Sequence, residues 1–246
     1  MRVLKADLVS GGVRIGYVIY RIGEGFAYVS GIWLEQGGFR EAFDALSRLI
    51  GELRGRHGLV RVRVPKGSIP HRVAERLGLR PIGASAIMRR GLRGLEAGLP
   101  DSGGLRYVRL RPGQGEELSL LHNRIFVDAS SPSMRWIFEP LTAETAEKWL
   151  KEPRLKIYSV YHEDDVAGLV GISPAERVGK IPFLGLLPRF RGRGLGGRLL
   201  AFALRRLREL GAVEAELGVD LGNIPAVKLY RRAGFKPVEE HLYYEG

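Results

Sequence analysis

Apolar positions in the last third of the chain switch between two periods. LGGRLLAFALRRLREL (195–210) repeats at helical spacing, with Leu195, Leu199, Ala203, Leu207 and Leu210 on one stripe and Arg198, Arg205 and Arg208 off it. Gly211 is a natural stop for that helix. VEAELGVD (213–220) then reads as a strand, IPAVKLYRRAGF (224–235) as a second helix, and KPVEEHLYY (236–244) as a final strand. Upstream, YVRLRPG (107–113) alternates as a strand. GEELSLLHNRIF (115–126) and TAETAEKWLKE (142–152) carry the helical period, the latter with Thr142 as its cap. Two strands follow, IYSVYHED and VAGLVGIS, with a turn near Asp164–Asp165, and a third, KIPFLGLL, ends at Pro188.

The first half echoes this order. GFAYVSGIWL predicts a strand, FREAFDALSRLIGEL a helix with Phe39, Phe43, Leu46, Ile50 and Leu53 on one face, and LVRVRVP a strand. GSIPHRVAERLGLRPI (67–82) parallels GNIPAVKLYRRAGFKPV (222–238), with Gly78 and Gly234 standing 156 positions apart (234 − 78), as do Pro81 and Pro237. Such a repeat predicts two copies of one supersecondary plan. At that offset Met1 falls opposite Ile157, so the first copy lacks the opening strand and two helices of the second. Between them lies the glycine-rich GLRGLEAGLPDSGG (91–104). The expected organisation is a first domain over 1–92, a linker over 93–104 and a second domain over 105–246. The fold class is α/β (α+β): two mixed-sheet units, the N-terminal one truncated, packed as an intramolecular pseudo-dimer in a monomer or weak homo-oligomer.

Composition narrows the chemistry. The 246 residues include no cysteine, which excludes disulfides, thiolate zinc sites and a cysteine nucleophile. No apolar run approaches the ~18–20 residues of a membrane span, and MRVLKADLVSGG lacks the pattern of a signal peptide. A cytoplasmic location with no membrane partner is the expectation. Asparagine occurs only at 123 and 223 and glutamine only at 36 and 114, a scarcity that, with many arginines, reads as thermophile-like. The net charge of +12 fits an acidic partner: a phosphorylated cofactor, RNA or an acidic protein.

RFRGRGLGGRLL (189–200) is the stretch most suited to such a partner. Glycines let a ligand approach the backbone, and amides at the start of the following helix favour an anion. Gly192, Gly194 and Gly197 formally match G-x-G-x-x-G, with Glu214 and Glu216 downstream where a ribose-binding acid stands in dinucleotide sites. In that fold, however, the first glycine sits at the strand end, whereas Pro188, Arg189, Phe190 and Arg191 intervene here. An arginine–glycine box for RNA would be repeated in a disordered tract, and this one occurs once before an amphipathic helix. A ligand-free turn also fits the glycines.

A different pattern fits better. Arg191-Gly192-Arg193-Gly194-Leu195-Gly196 reads as R-x-x-G-x-G after a strand, and downstream stands Asn223-x-x-Ala226-x-x-x-Tyr230-x-x-x-Gly234-Phe235. Together, across 105–246, they resemble the acetyl-CoA-binding core of the GNAT superfamily of N-acetyltransferases, and the tandem order resembles double-GNAT enzymes. The resemblance implies that amides of Arg191, Gly192, Arg193, Gly194, Leu195 and Gly196 bind the CoA pyrophosphate, with Arg193 and Arg198 near the 3′-phosphate. It implies that pantetheine lies along Phe183, Leu184, Gly185 and Leu186, with an N–H near Leu186 on the thioester carbonyl. Tyr230 matches the general acid, and Asn223 stands beside pantetheine in the family while also reading as a helix cap.

The acceptor implied is an amine, small molecule or protein. Many family members carry a glutamate base on the strand before the loop, and KIPFLGLL has none. Glu139, Asp128, His122, His162 and Glu216 are the remaining candidates, with an ordered water as an alternative relay. The region from Ile125 to Trp149, with Arg135, Trp136 and Glu139, is expected to shape the acceptor pocket. The first copy has LEQGGFREAF (34–43) opposite the loop, Ser68 opposite Asn223, and Ala74 or Glu75 opposite Tyr230, which predicts a degenerate copy. The alternative function is a non-catalytic basic protein on RNA or the ribosome.

Overall fold

A computed structural model describes residues 3–94, 104–126 and 140–246. Most of the 93–104 segment, together with Asp128, Arg135, Trp136 and Glu139, lies outside the described residues. The fold is α/β with mixed sheets and, among the described residues, six α-helices. No helix among them is long and apolar enough to cross a membrane.

The chain forms two compact units: residues 1–85 with 239–246, and residues 86–238. In the first, strands β1 (Val3–Ser10), β2 (Val13–Gly23), β3 (Phe26–Leu34) and β4 (Leu59–Pro65) precede the end of β11 (Lys236–Glu245) in sheet order β1-β2-β3-β4-β11. Helices α1 (Phe39–His57) and α2 (Ile69–Arg76) pack their Ala42, Leu46, Ile50, Leu53, Val73 and Ala74 on Val60, Val62 and Val64 of β4. The α1 stripe departs from expectation at its start. Phe39 is exposed and stacks on Phe43, with the Arg72 guanidinium over its ring, so Phe39 covers a helix surface while the half-buried Phe43 still packs against the core.

In the second unit the order is β5-β10-β9-β8-β7-β6, from the end of β5 (Arg80–Gly91) through β10 (Glu214–Asp220), β9 (Val178–Leu186), β8 (Asp165–Ser173) and β7 (Lys156–His162) to β6 (Leu105–Arg109). Its helices are α3 (Gly115–Phe126), α4 (Ala143–Lys151), α5 (Leu195–Glu209) and α6 (Ile224–Arg232). Leu199, Ala203 and Leu207 are fully buried, and so are Leu200, Ala201 and Leu204, so α5 buries a wider face than one stripe. Thr142 Oγ1 accepts from the Thr145 N–H at 3.2 Å, which starts α4.

The offset of 156 recurs in the elements. Helices α1 and α5 begin at Phe39 and Leu195 (195 − 39), and β5 and β11 begin at Arg80 and Lys236 (236 − 80). Leu79 N–H donates to Ala74 as Phe235 N–H donates to Tyr230, so the backbone bonding pairs Tyr230 with Ala74 instead of Glu75. The units divide inside β5 and β11, not at the glycine-rich segment. Ala86–Gly91 completes the sheet of the second unit, and Glu239–Glu245 that of the first.

Candidate active site

The second unit contains a break in its sheet. Strands β9 and β10 run parallel, paired from Val178↔Glu214 to Ile181↔Leu217, and the ladder ends there although β9 continues to Leu186 and β10 to Asp220. Pro182, the next residue on β9, has no N–H to offer β10. On its other edge β9 stays paired with β8 from Gly171↔Phe183 to Gly168↔Leu186. Leu187 N–H donates to Ala167 O at 2.9 Å on that side. Antiparallel residues alternate the side they bond to, so the polar groups of Leu186 and Leu184 point into the opening wedge. Gly185 answers a packing demand, because a Cβ there would collide with Ile125 and Phe126 of α3.

The wedge leads into the glycine loop. A 3-10 turn over Pro188–Phe190 buries Phe190. Arg191 then folds back: its N–H donates to Pro188 O at 3.1 Å, its Nε to Leu186 O at 2.9 Å and its Nη2 to Ile125 O at 3.1 Å. Arg191 thereby ties the loop to the end of β9 and to α3, and its N–H is occupied inside the turn. Gly192 and Gly194 sit at φ +76° and +77° with open space where a Cβ would stand, so the left-handed backbone, not crowding, requires glycine.

Helix α5 starts at Leu195 with no side-chain cap and no acidic residue in its first turn. Gly197 N–H turns onto Gly194 O at 3.2 Å, and among the described residues no backbone carbonyl accepts from Gly192 through Gly196 outside the helix. Those amides present the positive end of the helix dipole. The matching start of α1 differs. There the Glu41 carboxylate accepts from the Gly38 N–H at 2.9 Å, and backbone N–H bonds hold its pKa below the usual range. The exposed Arg193 has its guanidinium 6.0 Å from the Phe190 ring, while an Arg198 nitrogen lies beside Gly104.

Helix α6 is capped by Asn223, whose Oδ1 accepts from the Ala226 N–H at 3.2 Å. It ends at Arg232, with Gly234 following at φ +82°. Tyr230 lies between these caps, 7% exposed, with its ring 6.0 Å from Phe235. Burial pushes its phenol up to about 12. Among the described residues Tyr230 Oη has no hydrogen-bond partner, yet it is not one of the side-chain atoms sealed from solvent. The hydroxyl therefore has no protein partner to give up among the described residues when it meets a substrate atom.

The described base candidates sit in contrasting places. Glu216, on β10 near the last rung, is 2.7 Å from Arg89 Nε and 3.7 Å from Lys180 Nζ, so its carboxylate is engaged by two cations. His162 lies 5.9 Å from the Phe190 ring. His122 is enclosed by Phe126, Trp149 and Phe183 at 4.8, 5.6 and 5.9 Å, and burial lowers its pKa. Sequence reasoning missed this aromatic cluster. The His122–Phe126 spacing of one helical turn marked half of it, but Trp149 and Phe183 come from other elements. Asn123 anchors the start of α4 through Leu141, accepting its N–H at 2.8 Å and donating to its carbonyl at 3.0 Å. Among the described residues no group of three or more His, Cys, Asp and Glu could hold a metal.

Comparison with known proteins gives this geometry a context. Residues 123–235 match the family model described as Acetyltransferase (GNAT) family. Mycothiol acetyltransferase of Arthrobacter sp. (strain FB24) is 31% identical over 183 residues, covering 70% of this chain and 55% of the relative. The chain thus spans about half the length of such curated relatives. Among solved structures, a GCN5-related N-acetyltransferase from Sphaerobacter thermophilus matches with a TM-score of 0.70 at 20% identity, covering 96% of this chain and 77% of that one. A tandem GNAT protein from the clavulanic acid biosynthesis pathway also reaches 0.70, at 16% identity, covering 99% and 83%. At those identities the two structures speak to the fold.

Proposed function

We propose, from the match of residues 123–235 to the GNAT acetyltransferase family model, that this chain transfers an acetyl group from acetyl-CoA to an amine by direct attack on the thioester. The observation that carries the proposal is the wedge between β9 and β10 running into the uncapped start of α5. Acetyl-CoA supplies an activated acetyl group on a sulfur leaving group. The amides of Gly192 through Gly196 hold its pyrophosphate, as a glycine-opened helix start holds any phosphate. The open edge at Leu184 binds the pantetheine arm as an added strand, the Leu186 carbonyl being taken by Arg191, and the Leu186 N–H stabilises the oxyanion of the tetrahedral intermediate. Arg191 sets the loop relative to that edge instead of contacting phosphate through its own N–H.

Tyr230 delivers the proton to the departing sulfur. Its raised pKa keeps it protonated at neutral pH, and the burial that raises the phenol also raises a thiolate formed beside it, which keeps the transfer feasible. Asn223 holds α6, and so Tyr230, through its cap. The first unit acts as a scaffold: Glu41 occupies the helix start where phosphate would lie, and Ala74 stands where Tyr230 would.

The test is thiol release on mixing the full chain with acetyl-CoA and a panel of amines, with acetylated product identified by mass. The relative's name makes mycothiol-related amines the first acceptors to include. Thiol release that needs both protein and one amine class is expected. Absence of release across the panel, with the protein also failing to bind acetyl-CoA, would overturn the proposal.

A further inference from the structure

The first unit has a sheet face that no helix of that unit covers. Val60, Val62 and Val64 of β4 and Ala27 and Val29 of β3 point into the core beneath α1 and α2. Alternation sends Arg61 and Arg63 of β4, with Tyr28 of β3, to the opposite face. Across the β4–β11 ladder Arg61 faces Glu245, Arg63 faces Tyr243 and Pro65 faces His241. Tyr28, His241 and Tyr243 on this face are 5–7% exposed, although a sheet surface without a helix is ordinarily wet.

The carboxylates around this face already have cations. Glu245 takes Arg61 at 2.8 Å and also Arg80. Glu240 takes Lys66 at 2.7 Å, and Glu239 lies 2.9 Å from His241 Nε2. Arg63 receives none of them. Its Nη2 lies 3.1 Å from His241 Nδ1, a neutral partner while His241 spends its other nitrogen on Glu239. Burial and the Arg63 charge together hold the His241 pKa down, which keeps that nitrogen an acceptor. Arg63 Nε is sealed from solvent without any partner, the one such side-chain atom among the described residues. Arg63 Nη1 makes no hydrogen bond among the described residues and is not sealed, so one end of the guanidinium is reachable. Arg63 is also the first β4 residue beyond the last β3–β4 rung, Val29↔Val62, so it stands where that pair of strands stops being bonded.

A half-buried guanidinium with a neutral partner, an orphaned N–H and, among the described residues, no carboxylate is suited to an oxyanion. We propose that Arg63 anchors a binding site in the first unit for the oxyanion of a small molecule, a carboxylate or a phosphate. The proposal rests on residues of the first unit and does not depend on the acetyl-transfer reading.

The experiment uses the full chain carrying Gly194→Asp, so that phosphate has no helix start to bind in the second unit. Inorganic phosphate and acetate are titrated separately at constant ionic strength, with chloride as the balancing anion. Calorimetry and the Arg63 Nε–H resonance are the readouts. Saturable binding of one anion that moves this resonance is expected, weakened about tenfold or more by Arg63→Gln. The anion that saturates tells a phosphate-bearing ligand from a carboxylate-bearing one. Arg63→Lys keeps the charge but loses the planar fork, and is expected to weaken binding measurably even if Arg63→Gln fails to fold. No saturable response to either anion, or a response that both variants leave intact, would overturn the site.

Discussion

Replacing Tyr230 with phenylalanine is expected to lower kcat by about 10- to 10⁴-fold while acetyl-CoA affinity stays unchanged. The ring is buried against Phe235 and phenylalanine fills the same space. The hydroxyl makes no hydrogen bond among the described residues, so its removal leaves no protein partner orphaned and the melting temperature is expected to hold. The substitution therefore separates chemistry from packing. Steady-state kinetics with the best acceptor, alongside calorimetric titration of acetyl-CoA, give the two numbers. An unchanged kcat would return Tyr230 to the core as an ordinary buried aromatic.

The second large effect concerns the division of the chain. A fragment spanning residues 97–246 is expected to be insoluble or inactive, for a reason that lies in the sheets. The second unit needs Ala86–Leu92, which that fragment lacks. Met88 and Leu92 are each 1% exposed there, Arg89 pairs with Glu216 at 2.7 Å, Arg90 donates to Ala233 at the end of α6, and Leu92 N–H donates to Val213 O at 2.9 Å. Burying side chains such as these contributes about 1.5–3 kcal/mol each, against a total stability on the order of 5–15 kcal/mol. The fragment would also carry Leu242 and Tyr244 without the core they pack into. Solubility, circular dichroism and thiol release on the purified fragment test this. A folded fragment with full activity would remove the scaffold role of the first unit.

How far the residues alone led depended on whether the cause was local. Helix starts and stops were legible at Thr142, Asn223 and Gly211, because caps are chemistry within a few residues of sequence; the last helix, read through Gly234 to Phe235, ends at Arg232. The repeat was legible through Gly78 and Gly234, and the loop through Gly192 and Gly194, since only glycine tolerates their backbone. Strand partnership was not. KPVEEHLYY read as a strand and β5 went unread, and nothing local in either says which unit it completes. The β1–β2 hairpin went unread although Gly11 and Gly12 lie at its turn with positive φ: β1 alternates exposed and inward positions, but β2 mixes them without clean alternation.

Side-chain destinations were harder still. Arg191 belongs to the loop motif, and yet its guanidinium reaches back to Leu186 and Ile125, a contact set by how α3 meets β9. The aromatic enclosure of His122 draws on three elements far apart in the chain, and Phe39 left the core once α2 placed Arg72 over it.

The most direct measurement is calorimetric titration of the full chain with acetyl-CoA, with NADPH as control and Gly194→Asp as the comparison. Aspartate there would force a side-chain-bearing residue to φ +77° and put a carboxylate at the helix start. The account predicts saturable acetyl-CoA binding, inert NADPH and loss of binding in the variant. Failure of acetyl-CoA to bind, or binding that Gly194→Asp leaves intact, would contradict it.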